Sequence, residues 1–295
     1  MAIEKGADEI TSAIQRALVR KEGLLIGRNG TIELETLLFL LYQSKPGENY
    51  PESIRKRMEL HAGIFPANKI SLDRWVFMMI ESIRSTDVIV AGWYKPLEVQ
   101  ENILLDNINK IAPRIPLRSL EPYYVEPAKR WTHLLKGHTV AVVNAFSETA
   151  MKQVNKKEEI WPLHTESLLP DDVKWISIPT GYAPELAQGV AEWPSDVQSW
   201  DVAVNYVVKK VRESGARIAL IGCGGLGMII GSELKKYGII SVVLGGALQV
   251  LFGIKGNRWA SHSVIQHFWN DAWVYPDAKE TPAGASRIEN ACYWK

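Results

Sequence analysis

Cysteine, bulk charge and long apolar runs are all scarce in this chain, and each shortage removes a class of protein. Its two cysteines, Cys223 and Cys292, give neither a disulfide framework nor metal-ligand spacing, so a reducing, cytoplasmic setting is expected. Net charge is nearly absent. Thirty-four basic side chains face 33 acidic ones, a formal +1, so no bulk field draws the chain to nucleic acid or an anionic bilayer, and any anion site has to be local. Gly, Gln or a charge interrupts every apolar stretch well short of the roughly 20 residues of a membrane span. Met1 to Glu9 lacks the basic start and apolar stretch of a signal peptide. There is no fixed-period repeat and no low-complexity tract.

What is present is enough apolar material for a sizeable core: 46% hydrophobic over 295 residues, the size of one large α/β domain or two smaller ones. Tryptophan is unusually frequent, with eleven. Several stand beside polar or charged residues (Trp93, Trp131, Trp161, Trp269, Trp273, Trp294), where core packing competes with stacking on a sugar or base.

Helical and strand-like segments alternate. Apolar residues at helical spacing predict helices over 7–20, 32–42, 70–83, 96–107, 148–156, 197–213 and 226–237. Short continuous apolar runs predict strands at 24–26, 88–91, 139–143, 173–178, 217–221 and 241–244. Residues 109–131, rich in Pro, Arg and Tyr, read as an irregular connection and the best place for a boundary. The pattern predicts an α/β fold, doubly wound, with a mainly parallel sheet and helices on both faces. Two lobes, 1–130 and 131–295, would each carry a glycine turn and bind a ligand between them.

Those turns carry the chemistry. Gly27-Arg28-Asn29-Gly30-Thr31-Ile32-Glu33 and Ile221-Gly222-Cys223-Gly224-Gly225-Leu226-Gly227 each join a strand to a helix, where backbone N–H groups and the helix dipole can hold a phosphate. Gly222-x-Gly224-x-x-Gly227 matches a dinucleotide fingerprint, yet the next strand ends Leu244-Gly245-Gly246 without the acid that would hold a ribose, which disfavours a dehydrogenase. Close helix-to-strand packing is the competing use of those glycines. Lys255 and Arg258, three apart with Gly253 and Gly256 among them, could reach one anion, the Arg as a bidentate clamp and the Lys as a point charge. Glu33, three residues past Gly30, could cap its helix, accept from a sugar hydroxyl or ligate a divalent ion.

Arg28-x-Gly30-x-x-Glu33, the turn Asn144-Ala145-Phe146 and the block from Ile221 to Trp259 together resemble the GT-D fold glycosyltransferases, a bacterial and viral group. The segment Glu289 to Trp294 is similar to that group's usual C-terminus. The resemblance covers nearly the whole chain, and its most specific part is Gly245-Gly246-x-x-Gln249-x-x-Phe252-Gly253-Ile254-x-Gly256-x-Arg258-Trp259. It implies one domain over 1–295 that moves a sugar from a UDP-, GDP- or dTDP-linked donor to a glycan or glycoprotein acceptor in cell-surface polysaccharide assembly. The implied donor site comprises Arg28, Gly30, Asn144, Gly222, Gly224, Gly225, Gly246, Gln249, Lys255, Arg258, Trp259 and Tyr293. Glu33 is the first catalytic candidate and Glu289 the next. The group's Asp-x-Glu metal motif is altered here: Thr31 stands where the Asp is expected and only Glu33 remains, so a requirement for Mn²⁺ or Mg²⁺ is left open. The alternative is a non-catalytic nucleotide- or glycan-binding module of a larger assembly enzyme.

Overall fold

A computed structural model describes residues 2–108, 111–288 and 291–295. Seven strands form one sheet in the order β3-β2-β1-β7-β6-β4-β5, and every pairing is parallel. The strands are β1 (Leu24–Arg28), β2 (Val88–Val90), β3 (Arg114–Ile115), β4 (Thr139–Asn144), β5 (Lys174–Pro179), β6 (Ile218–Gly222) and β7 (Ile240–Val243). The six strands expected from apolar runs are all present. The seventh, β3, lies inside the stretch read as irregular; two residues are too few to show a period.

Because successive side chains in a strand point to opposite faces, short apolar strands feed two cores at once. Val140 and Val142 of β4 face one layer and Ala141 and Val143 the other; Ile218 and Leu220 of β6 likewise oppose Ala219 and Ile221. On one face lie the helices Lys69–Ser85, Trp200–Glu213 and Gly227–Lys236; on the other lie Ile3–Arg20, Ser147–Val154 and Ala247–Leu251, with apolar residues from Trp259 to Ile288 and Cys292 and Trp294. The helix expected over 32–42 is α-helical from Thr31 to Leu38 and continues as one π-helical turn, Phe39–Gln43. Glu52–Leu60 is an unforeseen helix whose one buried residue, Met58, gave no periodic signal. No helix among the described residues is long and apolar enough to cross a membrane.

The sheet runs without a break through strands from both halves of the sequence. β1, from the first stretch, pairs directly with β7, from the second, so both halves of the sequence build one continuous layer. Near this seam Arg217 acts as a clamp: its guanidinium donates to the carbonyls of Ala17 (2.8 Å), Glu22 (2.9 Å) and Gly238. The Ala17 carbonyl also accepts from the Lys21 and Glu22 N–H groups, so the guanidinium adds a side-chain tie to the cap of the first helix. Replacing Arg217 with Ala is expected to cost about 2 kcal/mol, the scale of hydrogen bonds from a charged donor, read as a lower urea midpoint with an unchanged slope.

Candidate functional site

Parallel strands discharge all their following loops at one edge, and here those loops surround a crevice of about 530 Å³, within the range of small-molecule sites. Strands β4 and β6 are neighbours, but the helices that follow them pack on opposite faces of the sheet, so the chain parts between them. A ligand crevice is expected at such a divergence.

The first wall is the loop after β1. Gly30 caps the helix Thr31–Leu38 in an extended conformation, and Glu33 folds back over it so closely that a Cβ on residue 30 would lie 2.0 Å from Glu33 Oε2. The Glu33 carboxylate accepts from its own backbone N–H; burial raises its pKa, while that hydrogen bond, Arg28 and Arg57 oppose the rise. The glycine of Arg-x-Gly-x-x-Glu is therefore required by the glutamate. Arg28 comes next to it, its guanidinium carbon 4.7 Å from the centre of the Trp93 ring, a cation–π distance. No hydrogen bond or ion pair holds Arg28 among the described residues. Trp93 is itself fixed, its indole donating to the carbonyl of Asn29 at 3.1 Å. The Asn29 amide donates at 3.1 Å to Glu101, which also accepts from the Gly92 N–H at 2.9 Å. Glu101 is only 1% exposed, and burial raises its pKa despite those bonds.

The second wall is the Gly222–Gly227 turn, read in the sequence as a phosphate cradle, and its backbone also packs against neighbouring segments. Three of its N–H groups are already committed: Gly225 to the Ala62 carbonyl (2.9 Å), Leu226 to Cys223 and Gly227 to Gly224. Gly224 has φ +46°, and a Cβ there would stand 2.9 Å from the Ala62 carbonyl oxygen. Trp75 reaches in from the helix Lys69–Ser85 to donate to the Gly225 carbonyl at 2.9 Å. The turn lines the crevice, and Gly224 and Gly225 also admit Ala62, with Ile64 beside Gly225. Cys223 lines it too; burial pushes its thiol up to about 12, so it is no thiolate nucleophile near neutrality.

Asn144 bridges two loops, donating to Gly222 O at 2.5 Å and accepting from Phe146 N–H at 2.8 Å. Both ends of its amide are thus engaged in the fold. On the third wall, Gly245 (φ +59°) brings its backbone against Arg28, with 3.3 Å between the position of a Cβ and Arg28 Cζ. Gly246 is bordered by Arg258, Trp259 and Tyr293. The Arg258 guanidinium lies 4.6 Å from the Tyr293 ring centre and donates to its hydroxyl at 3.2 Å. Gln249, 3% exposed, donates to the carbonyls of Lys255 and Tyr293, both at 2.7 Å, and so ties the chain end to the crevice. Its Oε1 has no hydrogen-bond partner among the described residues.

Lys255 does not join Arg258. The bridge between Ile254 and Val274 turns the backbone there, and the Lys255 ammonium lies over the Trp269 ring at 5.6 Å, away from the residues that line the crevice. Glu289 lies outside the described residues. Most tryptophans prove to be ties between distant segments: Trp131, Trp161 and Trp273 are buried and donate to the carbonyls of Leu120, Leu251 and Ile160, whereas Trp93, Trp259 and Trp294 line the crevice. One lining carboxylate was not foreseen. Glu121, beyond the short helix Leu117–Leu120, sits in the stretch read as irregular; burial raises its pKa to about 7, with Arg28 and Arg118 holding it from rising further. Only a fold that carries residue 121 to residue 28 could reveal it.

The donor set does not make a protein-built divalent-metal centre. No three His, Cys, Asp or Glu side chains come together among the described residues, Thr31 offers a hydroxyl at best, and the Glu33 carboxylate is turned onto Gly30 and its own N–H.

No protein-family model matches the chain, and no curated protein matches it. Among solved structures, a selenomethionine-substituted structure of domain of unknown function 1792 is similar to it at 9% identity, over 94% of this chain and 95% of that one, with a TM-score of 0.44. A second structure of that domain, described as having a distinct glycosyltransferase fold, is similar at 8% identity over 95% of this chain and 96% of the other, again with a TM-score of 0.44.

The pairing of Gly30 with Glu33 makes a double-mutant cycle informative. Gly30→Ala is expected to destabilise the protein by about 1–3 kcal/mol because the methyl expels a buried carboxylate. In a Glu33→Ala background the same change should cost at least about 1 kcal/mol less. Equal costs in both backgrounds, measured by denaturant titration, would show that the two residues are not coupled.

Proposed function

We propose that the chain is a glycosyltransferase that binds a nucleotide sugar, UDP-, GDP- or dTDP-linked, in this crevice and passes the sugar to a glycan or glycoprotein acceptor in cell-surface polysaccharide assembly. The observation that carries the reading is the Arg28 guanidinium: it lines the crevice, rests on Trp93, faces the Gly245 backbone and has no anionic partner within bonding distance among the described residues. A planar cation left unbonded beside backbone that a side chain would obstruct suits a diphosphate, to which it can donate two parallel hydrogen bonds.

The roles follow from position. Arg28 and Arg258 hold the diphosphate and stabilise the charge that builds on it as the sugar departs. Gly245 and Gly246 let it approach the chain. Trp259 and Tyr293 offer aromatic surface beside Arg258, on which a base or sugar can stack. Glu33 accepts a hydrogen bond from a donor-sugar hydroxyl.

Titration calorimetry with UDP, GDP and dTDP tests the anion site. Arg28→Ala should weaken whichever nucleotide binds by roughly 10- to 150-fold, equivalent to about 1.5–3 kcal/mol, and Arg28→Lys should recover only part of that. Wild-type affinity in Arg28→Ala would remove the diphosphate from this wall. For the chemistry, Glu33→Gln should lower nucleoside-diphosphate release from the donor by at least about 100-fold with little change in thermal stability. If Glu33→Gln turns over normally and only Glu33→Ala is unstable, Glu33 is a helix cap and nothing more. A protein that binds nucleotide sugars but never releases nucleoside diphosphate, with or without acceptor, would be a binding module.

A further inference from the structure

Two carboxylates line the described crevice, Glu33 and Glu121. They are held in different ways. Glu33 is turned onto Gly30 and engaged by its own backbone N–H. The Glu121 carboxylate is half-buried and makes no hydrogen bond or ion pair among the described residues. It shares its side of the crevice with Trp93, Tyr94 and Leu117, which come from the loops after β2 and β3. This wing lies to one side of Arg28; the wall of Gly246, Arg258 and Tyr293 comes from β7 and the chain end.

We propose that Glu121 is the catalytic base of the transfer, taking the proton of the acceptor hydroxyl, and that the wing of Trp93, Tyr94 and Leu117 seats the acceptor sugar. This rests on the glycosyltransferase reading above. In the step, the acceptor O–H breaks and its proton passes to a Glu121 carboxylate oxygen. The freed electron pair forms the bond to the donor's anomeric carbon, and the bond from that carbon to the diphosphate oxygen breaks. Its electrons leave with the nucleoside diphosphate against Arg28 and Arg258. Glu121 then returns its proton to solvent.

The other titratable groups on the lining are less suited. Cys223 is a thiol with its pKa pushed up to about 12, the Tyr182 hydroxyl donates to the Glu280 carbonyl at 3.1 Å, and the Tyr293 hydroxyl accepts from Arg258. His61, on the wall facing the Gly222–Gly227 turn, and the Tyr94 hydroxyl, within the wing itself, are the remaining competitors. Around Glu121 stand Arg28 from the β1 loop, Arg118 on its own short helix, and Tyr123 and Tyr124 just beyond. Burial pushes the carboxyl up to about 7 and the two arginines pull it down; a base poised there is ionised for a good part of the time at neutral pH and still binds a proton well. A diphosphate seated on Arg28 cancels that arginine's pull, so donor binding makes Glu121 the stronger base.

The full chain tests this with UDP-, GDP- and dTDP-linked sugars as donors and a panel of oligosaccharides as acceptors, reading nucleoside-diphosphate release against pH. Wild type should show an acid limb because the carboxylate is the active form, with activity rising as pH climbs through about 7 at low donor concentration and through a higher pH at saturating donor. Glu121→Gln should lose at least about 100-fold in turnover and the limb with it, while nucleotide affinity stays within about threefold. Glu121→Asp, which keeps a carboxylate, should retain some turnover and the limb, and His61→Asn should keep both. Calorimetry of the same nucleotides in buffers of different ionisation enthalpy should register proton uptake on binding to wild type and none with Glu121→Gln. Full turnover in Glu121→Gln, or loss of the limb in His61→Asn alone, would overturn the assignment and leave the transferase reading intact. A wild type that neither binds nor turns over any donor would overturn both.

Discussion

Parallel pairing obliges every strand to hand its chain to a loop at the same edge of the sheet, and then to a connection that carries it back across a face. With seven parallel strands the carboxyl edge becomes crowded, and the residues there are selected first for whether the loops can pack together at all. Gly30 yields its space to Glu33, Gly224 to Ala62, and Gly245 to Arg28. In each pair a methyl group would collide with, or crowd, the element that the crevice needs. Glycines at such turns are often taken as marks of a phosphate. Here all three admit neighbouring parts of the protein, and for the third that neighbour is the cation itself.

That cation is held without being neutralised. A carboxylate within bonding distance would fix Arg28 but also cancel it. The chain avoids this by acting through neutral intermediaries: buried Glu101 holds the Asn29 amide and the Gly92 N–H, Asn29 receives the Trp93 indole on its carbonyl, and the Trp93 ring supports the guanidinium. The negative charge of Glu101 still acts on Arg28 at longer range, lowering the cost of a half-buried cation, yet the hydrogen-bond donors of Arg28 stay available. Glu101 itself is kept from solvent at a cost that burial registers as a raised pKa. A buried acid of this kind sets geometry more than it adds stability.

The fold was largely legible in the sequence because parallel strands buried on both faces are short, continuously apolar and bounded by turns. Six of them could be read so. β3 could not, since Arg114–Ile115 has no period, and its place in the sheet comes from pairing with β2. The site was legible where it is local. Arg28, Gly30 and Glu33 lie within six residues, and the block from Gly245 to Trp259 folds mostly upon itself. It was illegible where it depends on long-range geometry: Lys255 and Arg258 are near in sequence but a bridge to Val274 separates their side chains, and Glu121 and Arg28 are far apart in sequence but share one crevice. The tryptophans mislead for a related reason. An indole N–H that ties two distant segments through a carbonyl looks, in sequence, the same as one waiting for a sugar.

The two lining carboxylates show how one crevice can ask opposite things of one residue type. Both are made reluctant to ionise by burial. For Glu33 that reluctance is opposed by a backbone N–H at a helix start, where the dipole also favours negative charge, so it is tied to a fixed direction and suited to orienting a ligand. Glu121 has no such tether. What opposes its reluctance is mainly the field of Arg28 and Arg118, and the Arg28 share is one that an anionic ligand can remove. A carboxylate fixed by hydrogen bonds keeps its proton affinity when the crevice fills; one balanced against an arginine has its affinity reset by whatever the arginine binds. The same guanidinium can therefore hold an anion and, in doing so, raise the basicity of the group across from it.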